Sequence, residues 1–180
     1  MAVESAMVAL GWPLPVFCLP DLTGSTVSSE SFAGKPVLVA FVCNHCPYVR
    51  HIERGLAETL RRHPDLRVVG ICSNDAAAYR DDAPAALAEQ AARAGWAFPY
   101  LIDESQQVGH AFRAACTPDF FLYNAAGRLA YRGAMDTSTP GNGAPVTGEL
   151  LDAAAGLVLA RQPVPEPHRP SMGCSIKWRH

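Results

Sequence analysis

Two cysteines separated by two residues, in Cys43-Asn44-His45-Cys46, are the side chains of this sequence best suited to chemistry. Before them runs Val37-Leu-Val-Ala-Phe-Val42, an apolar stretch of strand length; after them Val49, Ile52, Leu56 and Leu60 recur at helical spacing. The pair therefore stands where a strand hands over to a helix. If the helix begins at the motif, cysteines three residues apart share a face. Their Cα atoms are then roughly 5–6 Å apart, inside the ~4.4–6.8 Å a disulfide needs. Cys43 lies beside the unpaired N–H groups and the positive end of the helix dipole, which favour thiolate over thiol. Such placement lowers a cysteine pKa from about 8.5 to as little as ~3.5, and a protonated His45 adds to the effect. The expected roles are Cys43 as nucleophile, Cys46 as resolving thiol and His45 as helper. Pro47 falls in the first helical turn, where its missing N–H is not required.

The elements that must hold this pair follow the same periodicities. Val37–Val42, apolar throughout, reads as a central strand covered on both faces. Leu66–Cys72 is a second such strand, so strand, helix and strand form a parallel right-handed crossover. Asp81 and Asp82 are expected to cap an Ala-rich helix over residues 84–94 that stops at Gly95. Ala97–Ile102 is a further short strand, Gln106–Ala114 a short helix and Val146–Ala160 a last helix. Phe120–Tyr123 and Leu129–Arg132 form a hairpin through Asn124-Ala-Ala-Gly127. The class is α/β with a mixed sheet. Residues 1–162 are expected as the domain, and 163–180 as a Pro-rich tail carrying Cys174.

Composition narrows the partners. The 180 residues carry 15 Lys+Arg against 17 Asp+Glu, a net charge of −2, with 49% hydrophobic and 18% charged residues. That is an ordinary globular balance, with no basic excess to neutralise phosphates, so nucleic acid is not expected. No export signal is read at the start, where Glu4 replaces a positive segment, and the longest apolar run is far short of the ~20 residues that cross a bilayer. A cytoplasmic protein without membrane contact is expected. Glycine-rich nucleotide loops and hydrolase or zinc-protease motifs are not found, and no cofactor is expected.

The other cysteines, Cys18, Cys72, Cys116 and Cys174, occur singly, whereas structural zinc takes a second pair, so no metal is expected. A soft-metal site for copper through Cys43, His45 and Cys46 stands as the non-catalytic alternative. Cys18 and Cys72 read as small buried hydrophobes. Cys174 is either an incidental thiol on a flexible tail or a third redox thiol, if the tail folds back with Trp178 as anchor.

Together these residues resemble the thioredoxin superfamily, and more closely its peroxiredoxin-like branch, the redoxin or AhpC/TSA group. The resemblance rests on Phe17-Cys-Leu-Pro-Asp-Leu-Thr-Gly24, Phe32-Ala-Gly-Lys-Pro36, the central strand with Cys43 to Cys46, and Cys116-Thr117-Pro118. Gly173-Cys-Ser-Ile-Lys-Trp178 also looks like one subgroup of thioredoxin-family proteins. It implies a three-layer thioredoxin-like fold, a mixed central sheet flanked by helices, and an N-terminal β-hairpin extension. It also implies a cis-proline loop at Thr117-Pro118 that faces the dithiol and shapes a substrate groove, with Cys116 close by as a further candidate redox thiol. Ala40 stands where peroxiredoxins place a Thr or Ser hydroxyl to hold peroxide, which tells against fast peroxidase chemistry. The expected activity is thiol-disulfide exchange with a disulfide-bearing protein or small thiol, reset by a cellular dithiol reductant. A thiol peroxidase with antioxidant activity is the enzymatic alternative.

Overall fold

The computed structural model describes residues 1–179. In chain order the elements are β1 (Ala2–Glu4), β2 (Cys18–Pro20), β3 (Thr26–Ser28), β4 (Val37–Phe41), α1 (Pro47–Arg61), β5 (Arg67–Cys72), α2 (Pro84–Ala94), β6 (Tyr100–Ile102), α3 (Gln107–Phe112), β7 (Cys116–Thr117), β8 (Asp119–Tyr123), β9 (Leu129–Gly133), α4 (Glu149–Leu159) and β10 (Met172–Ser175). The main sheet has the order β6-β5-β4-β8-β9. Strand β4 is central, parallel to β5 (Val39 opposite Val69) and antiparallel to β8 (Val39 opposite Phe121).

The unbroken apolar run of β4 is needed because both of its faces are covered. Leu38 and Ala40 point into a core shared with Leu56 of α1, Leu87 of α2 and Leu151 of α4. Val37, Val39 and Phe41 point into a second core with Phe112 and Phe121. There the Phe41 ring meets Phe112 and Phe121 edge-on at 5.3 and 5.8 Å. Every residue of β4 is 1% exposed or less, as period-2 alternation between two cores requires. The β2–β3 hairpin forms the expected N-terminal extension.

Four expectations change. Helix α1 begins at Pro47, not at the motif, with Cys46 as an extended N-cap residue (φ −78°, ψ 122°). The cause is local: a residue preceding proline is pushed out of the helical region, so Cys46 cannot continue a helix that started earlier. Asp81 and Asp82 do not cap α2, whose N-cap is Ala83 without a side-chain bond; they lie in the 3-10 turn Arg80–Asp82 that precedes it. Cys18 is exposed, because alternation in β2 turns Leu19 inward and Cys18 outward. Finally, residues 163–179, expected as a tail, are woven into the fold, while His180 lies outside the described residues. Strand β10 runs between β1 and β7 in a second sheet of order β1-β10-β7. Beyond it Ile176 is buried, the Lys177 N–H donates to Asn74 Oδ1 at 2.8 Å, and Trp178 stacks on His110 at 4.0 Å. Among the described residues no helix is long and apolar enough to cross a membrane.

Candidate active site

The five residues Val42–Cys46 carry the chain from the end of β4 to the start of α1, and a buried carboxylate sets their path. Asp82, 1% exposed, accepts the backbone N–H groups of Asn44 and His45 on Oδ1 at 2.7 and 3.0 Å. Its Oδ2 meets His45 Nδ1 at 2.6 Å and accepts from Asn74 Nδ2 at 2.9 Å. Burial alone would raise the Asp82 pKa, but the bonds from His45 and Asn74 outweigh it and hold the carboxyl below its usual value. The His45 ring also stacks on Tyr79 at 5.0 Å. Gln90, fully buried in α2, donates to the Cys43 carbonyl at 2.9 Å and accepts from the Tyr100 hydroxyl at 3.0 Å.

Both sulfurs of the motif converge on Thr117. Cys43 Sγ lies 3.1 Å from Thr117 Oγ1, and the Cys46 thiol donates to the Thr117 carbonyl oxygen at 3.1 Å. Thr117 precedes Pro118 across a cis peptide bond. Cys43 and Cys46 are both 0% exposed, yet their ionisation is driven apart. Burial first, then the hydrogen bond with Cys46 and the charge of Asp82, push the Cys43 thiol well up. Cys46 goes the other way, lowered to about 5: the Cys43 thiol as hydrogen-bond partner outweighs burial, with Cys174 and the Val49 N–H adding to it. Because α1 starts at Pro47, the residue at its positive end is Cys46, the N-cap, and not Cys43.

The remaining candidates separate. Thr117 is 2% exposed and its strand edge is already paired, with Cys174 of β10 directly opposite. Pro118 lines a cavity of about 320 Å³ with Tyr48 and Ile52 of α1, Met135, Ser138 and Met172. Cys116 is buried, its thiol directed to the Pro118 carbonyl at 3.6 Å, and burial raises its pKa. Burial likewise raises Cys72. Ligand atoms of Cys43, His45 and Asp82 lie within 4.8 Å of one another, a set that has Asp82 where the sequence suggested Cys46.

Asp82, Gln90 and the Thr117 hydroxyl escaped the sequence reading. Gln90 had a signal, since it shares the apolar face of α2 with Leu87 and Ala94 at helical spacing. Asp82 had none that distinguished it from a helix cap.

The family model described as AhpC/TSA family matches residues 10–132, more than half of the chain. No protein of curated function matches it. Among solved structures, an uncharacterized conserved protein from Geobacillus kaustophilus is 42% identical, with a TM-score of 0.95 over 99% of this chain and 97% of that one. A hypothetical protein from Sinorhizobium meliloti 1021 is 41% identical, with a TM-score of 0.94 over 98% of both chains. A secreted Mycobacterium tuberculosis disulfide oxidoreductase homologous to E. coli DsbE is 18% identical, with a TM-score of 0.64 over 78% of this chain and 94% of that one. At that identity the last likeness concerns the fold alone, which is thioredoxin-like.

Proposed function

Within the AhpC/TSA family, to which this chain belongs, we propose that it is a thiol-disulfide oxidoreductase whose Cys43 and Cys46 cycle between dithiol and disulfide. The observation that carries this is the convergence of two buried thiols on one residue, with Cys43 Sγ 3.1 Å from Thr117 Oγ1 and the Cys46 thiol donating to the Thr117 carbonyl oxygen at 3.1 Å. Because Cys46 is the N-cap residue of α1, we assign it as the attacking thiolate and Cys43 as the resolving thiol, where a helix starting at the motif pointed to Cys43 as the nucleophile. In the first step Cys46 loses its proton and with it the bond to the Thr117 carbonyl oxygen; its thiolate attacks one sulfur of a disulfide, and the other sulfur leaves with the electron pair, taking up a proton. In the second, Cys43 loses its proton and attacks Cys46 Sγ, expelling the first half as a thiol and closing the Cys43–Cys46 bond.

Cys43 needs help to lose that proton, and the His45–Asp82 pair lies within 4.8 Å of it. His45 and Asp82 thus position the loop and serve as the proton acceptor for the resolving step. Pro118 and its cavity are the proposed contact for the substrate, a disulfide-bearing protein or small molecule. The pair is reset by a cellular dithiol reductant, in a reducing compartment that we take to be the cytoplasm.

The peroxidase alternative is weaker because buried Ala40 of β4 offers no hydroxyl at the position where peroxiredoxins hold peroxide with a Thr or Ser. Copper binding is weaker because the clustered set offers one thiolate and a hard carboxylate.

The test is catalysed reduction of insulin disulfides with dithiothreitol as reductant. Turnover is expected for the wild type and a fall to the uncatalysed rate for Cys46→Ser. Undiminished turnover by Cys46→Ser overturns the assignment.

A further inference from the structure

A third thiol faces the pair. Cys174 of β10 stands opposite Thr117 of β7, the residue on which both Cys43 Sγ and Cys46 Sγ converge. Its side chain packs against the same core as Cys43 and Cys46. The position is built, since strand β10 is held on both edges, with Ala2 of β1 opposite Cys174 on the other side. A Cβ on Gly173 would overlap the Thr117 carbonyl group, so glycine there is what lets β10 approach closely enough to bring Cys174 in. Downstream, the Ile176 N–H donates to the Ala115 carbonyl at 3.1 Å and Gln106 Nε2 donates to the Lys177 carbonyl at 2.8 Å.

Exposure separates the three. Cys43 and Cys46 are fully buried, while Cys174 is partly exposed. Strand β10 also fills the edge of β7 at Thr117, a residue expected to shape the substrate groove. A disulfide arriving from solvent therefore meets Cys174 first.

We propose that Cys174 is the entry thiol of this enzyme, passing disulfides between solvent and the buried Cys46. The proposal rests on the dithiol function above and adds its first step. For a small disulfide RSSR′, Cys174 loses its proton and attacks one sulfur, forming Cys174–S–S–R′ and releasing RS⁻, which takes up a proton. The Cys46 thiolate then attacks Cys174 Sγ and expels R′S⁻, likewise protonated, leaving a Cys46–Cys174 disulfide. Cys43, deprotonated beside His45 and Asp82, attacks Cys46 Sγ, and the Cys174 thiolate leaves and regains a proton. The two dithiol hydrogens end on RSH and R′SH, the Cys43–Cys46 bond is formed, and Cys174 is free again.

The experiment uses the full chain, pre-reduced, with oxidised glutathione as the disulfide and peptide mapping of quenched samples by mass spectrometry. Wild type is expected to end as Cys43–Cys46 with Cys174 alkylatable. Cys43→Ser is expected to accumulate Cys46–Cys174. Cys174→Ser is expected to form Cys43–Cys46 at least tenfold more slowly, its native near-UV dichroism confirming the fold. If Cys174→Ser forms Cys43–Cys46 at the wild-type rate, or Cys43→Ser ends with glutathione on Cys46 and Cys174 free, the entry role is overturned while the dithiol function stands. If wild type and Cys174→Ser alike form no Cys43–Cys46 bond, the dithiol function itself fails.

Discussion

Replacing Cys43 by alanine should move the ionisation of a different residue, Cys46. The Cys43 thiol is the largest influence lowering Cys46 to about 5, ahead of Cys174 and the Val49 N–H. A hydrogen bond to a charged group contributes about 1.5–3 kcal/mol. At about 1.4 kcal/mol per pKa unit, removing it should raise Cys46 by ~1–2 units. Cys46 in the variant should thus titrate near ~6–7, still below an ordinary thiol, because the helix end and the Cys174 thiol remain. Cys46→Ala should leave no thiol titrating below neutral pH, since burial, the largest influence on both Cys43 and Cys174, still raises them once Cys46 is gone. The assay is the ¹³Cβ shift of each cysteine followed from pH 3 to 10 in selectively labelled protein. An unmoved Cys46 in Cys43→Ala, or an acidic thiol that survives Cys46→Ala and vanishes in Cys43→Ala, would refute the reasoning.

Other substitutions test the scaffold. Asp82→Ala leaves the buried Asn44 and Asn74 donors and the half-buried His45 donors unpaired and should cost about 3 kcal/mol or more in urea unfolding; a loss under ~1 kcal/mol would mean the loop holds itself. Asp82 is depressed in the folded state, so its stabilisation is present above the ordinary carboxylate pKa and lost as pH falls through the lower folded value. The wild-type protein should therefore lose stability below about pH 4 more steeply than Asp82→Asn, and parallel acid limbs would contradict this. Gly173→Ala forces a Cβ into the Thr117 backbone and should cost ~1–3 kcal/mol, read by urea unfolding, and increase amide exchange along β10; a neutral effect would place β10 farther from β7. Leu56→Ala, wholly buried between α1 and the sheet, should cost ~2–5 kcal/mol by the same unfolding measurement, and under ~1 kcal/mol would contradict the packing described.

What the sequence disclosed and what it withheld divide along physical range. Val37–Val42, the α1 stripe at Val49, Ile52 and Leu56, and the α2 stop at Gly95 were legible because each is a local periodicity or a local backbone requirement. The motif itself was legible as spacing, but its place ahead of the helix was not. That hinged on Pro47 setting the first helical residue and on Asp82, 36 or more residues away, holding Asn44 and His45 outside the helix. The segment after Gln162 shows no periodicity because Gly173 and Cys174 are fixed by pairing with β1, across most of the chain, and with the distant β7. Pattern reasoning sees neighbours within a helix or strand; Thr117 and Cys174 meet only across a sheet.

The most direct test of the dithiol at the centre of this molecule is a redox titration in dithiothreitol buffers of graded ratio, with disulfides mapped by mass spectrometry at each point. A single two-electron transition is predicted, with Cys43 and Cys46 linked in the oxidised form and Cys72 and Cys116 remaining as thiols throughout. A protein that reaches full oxidation with Cys43 and Cys46 both still alkylatable, or with Cys46 held only as a sulfinic acid, would contradict it.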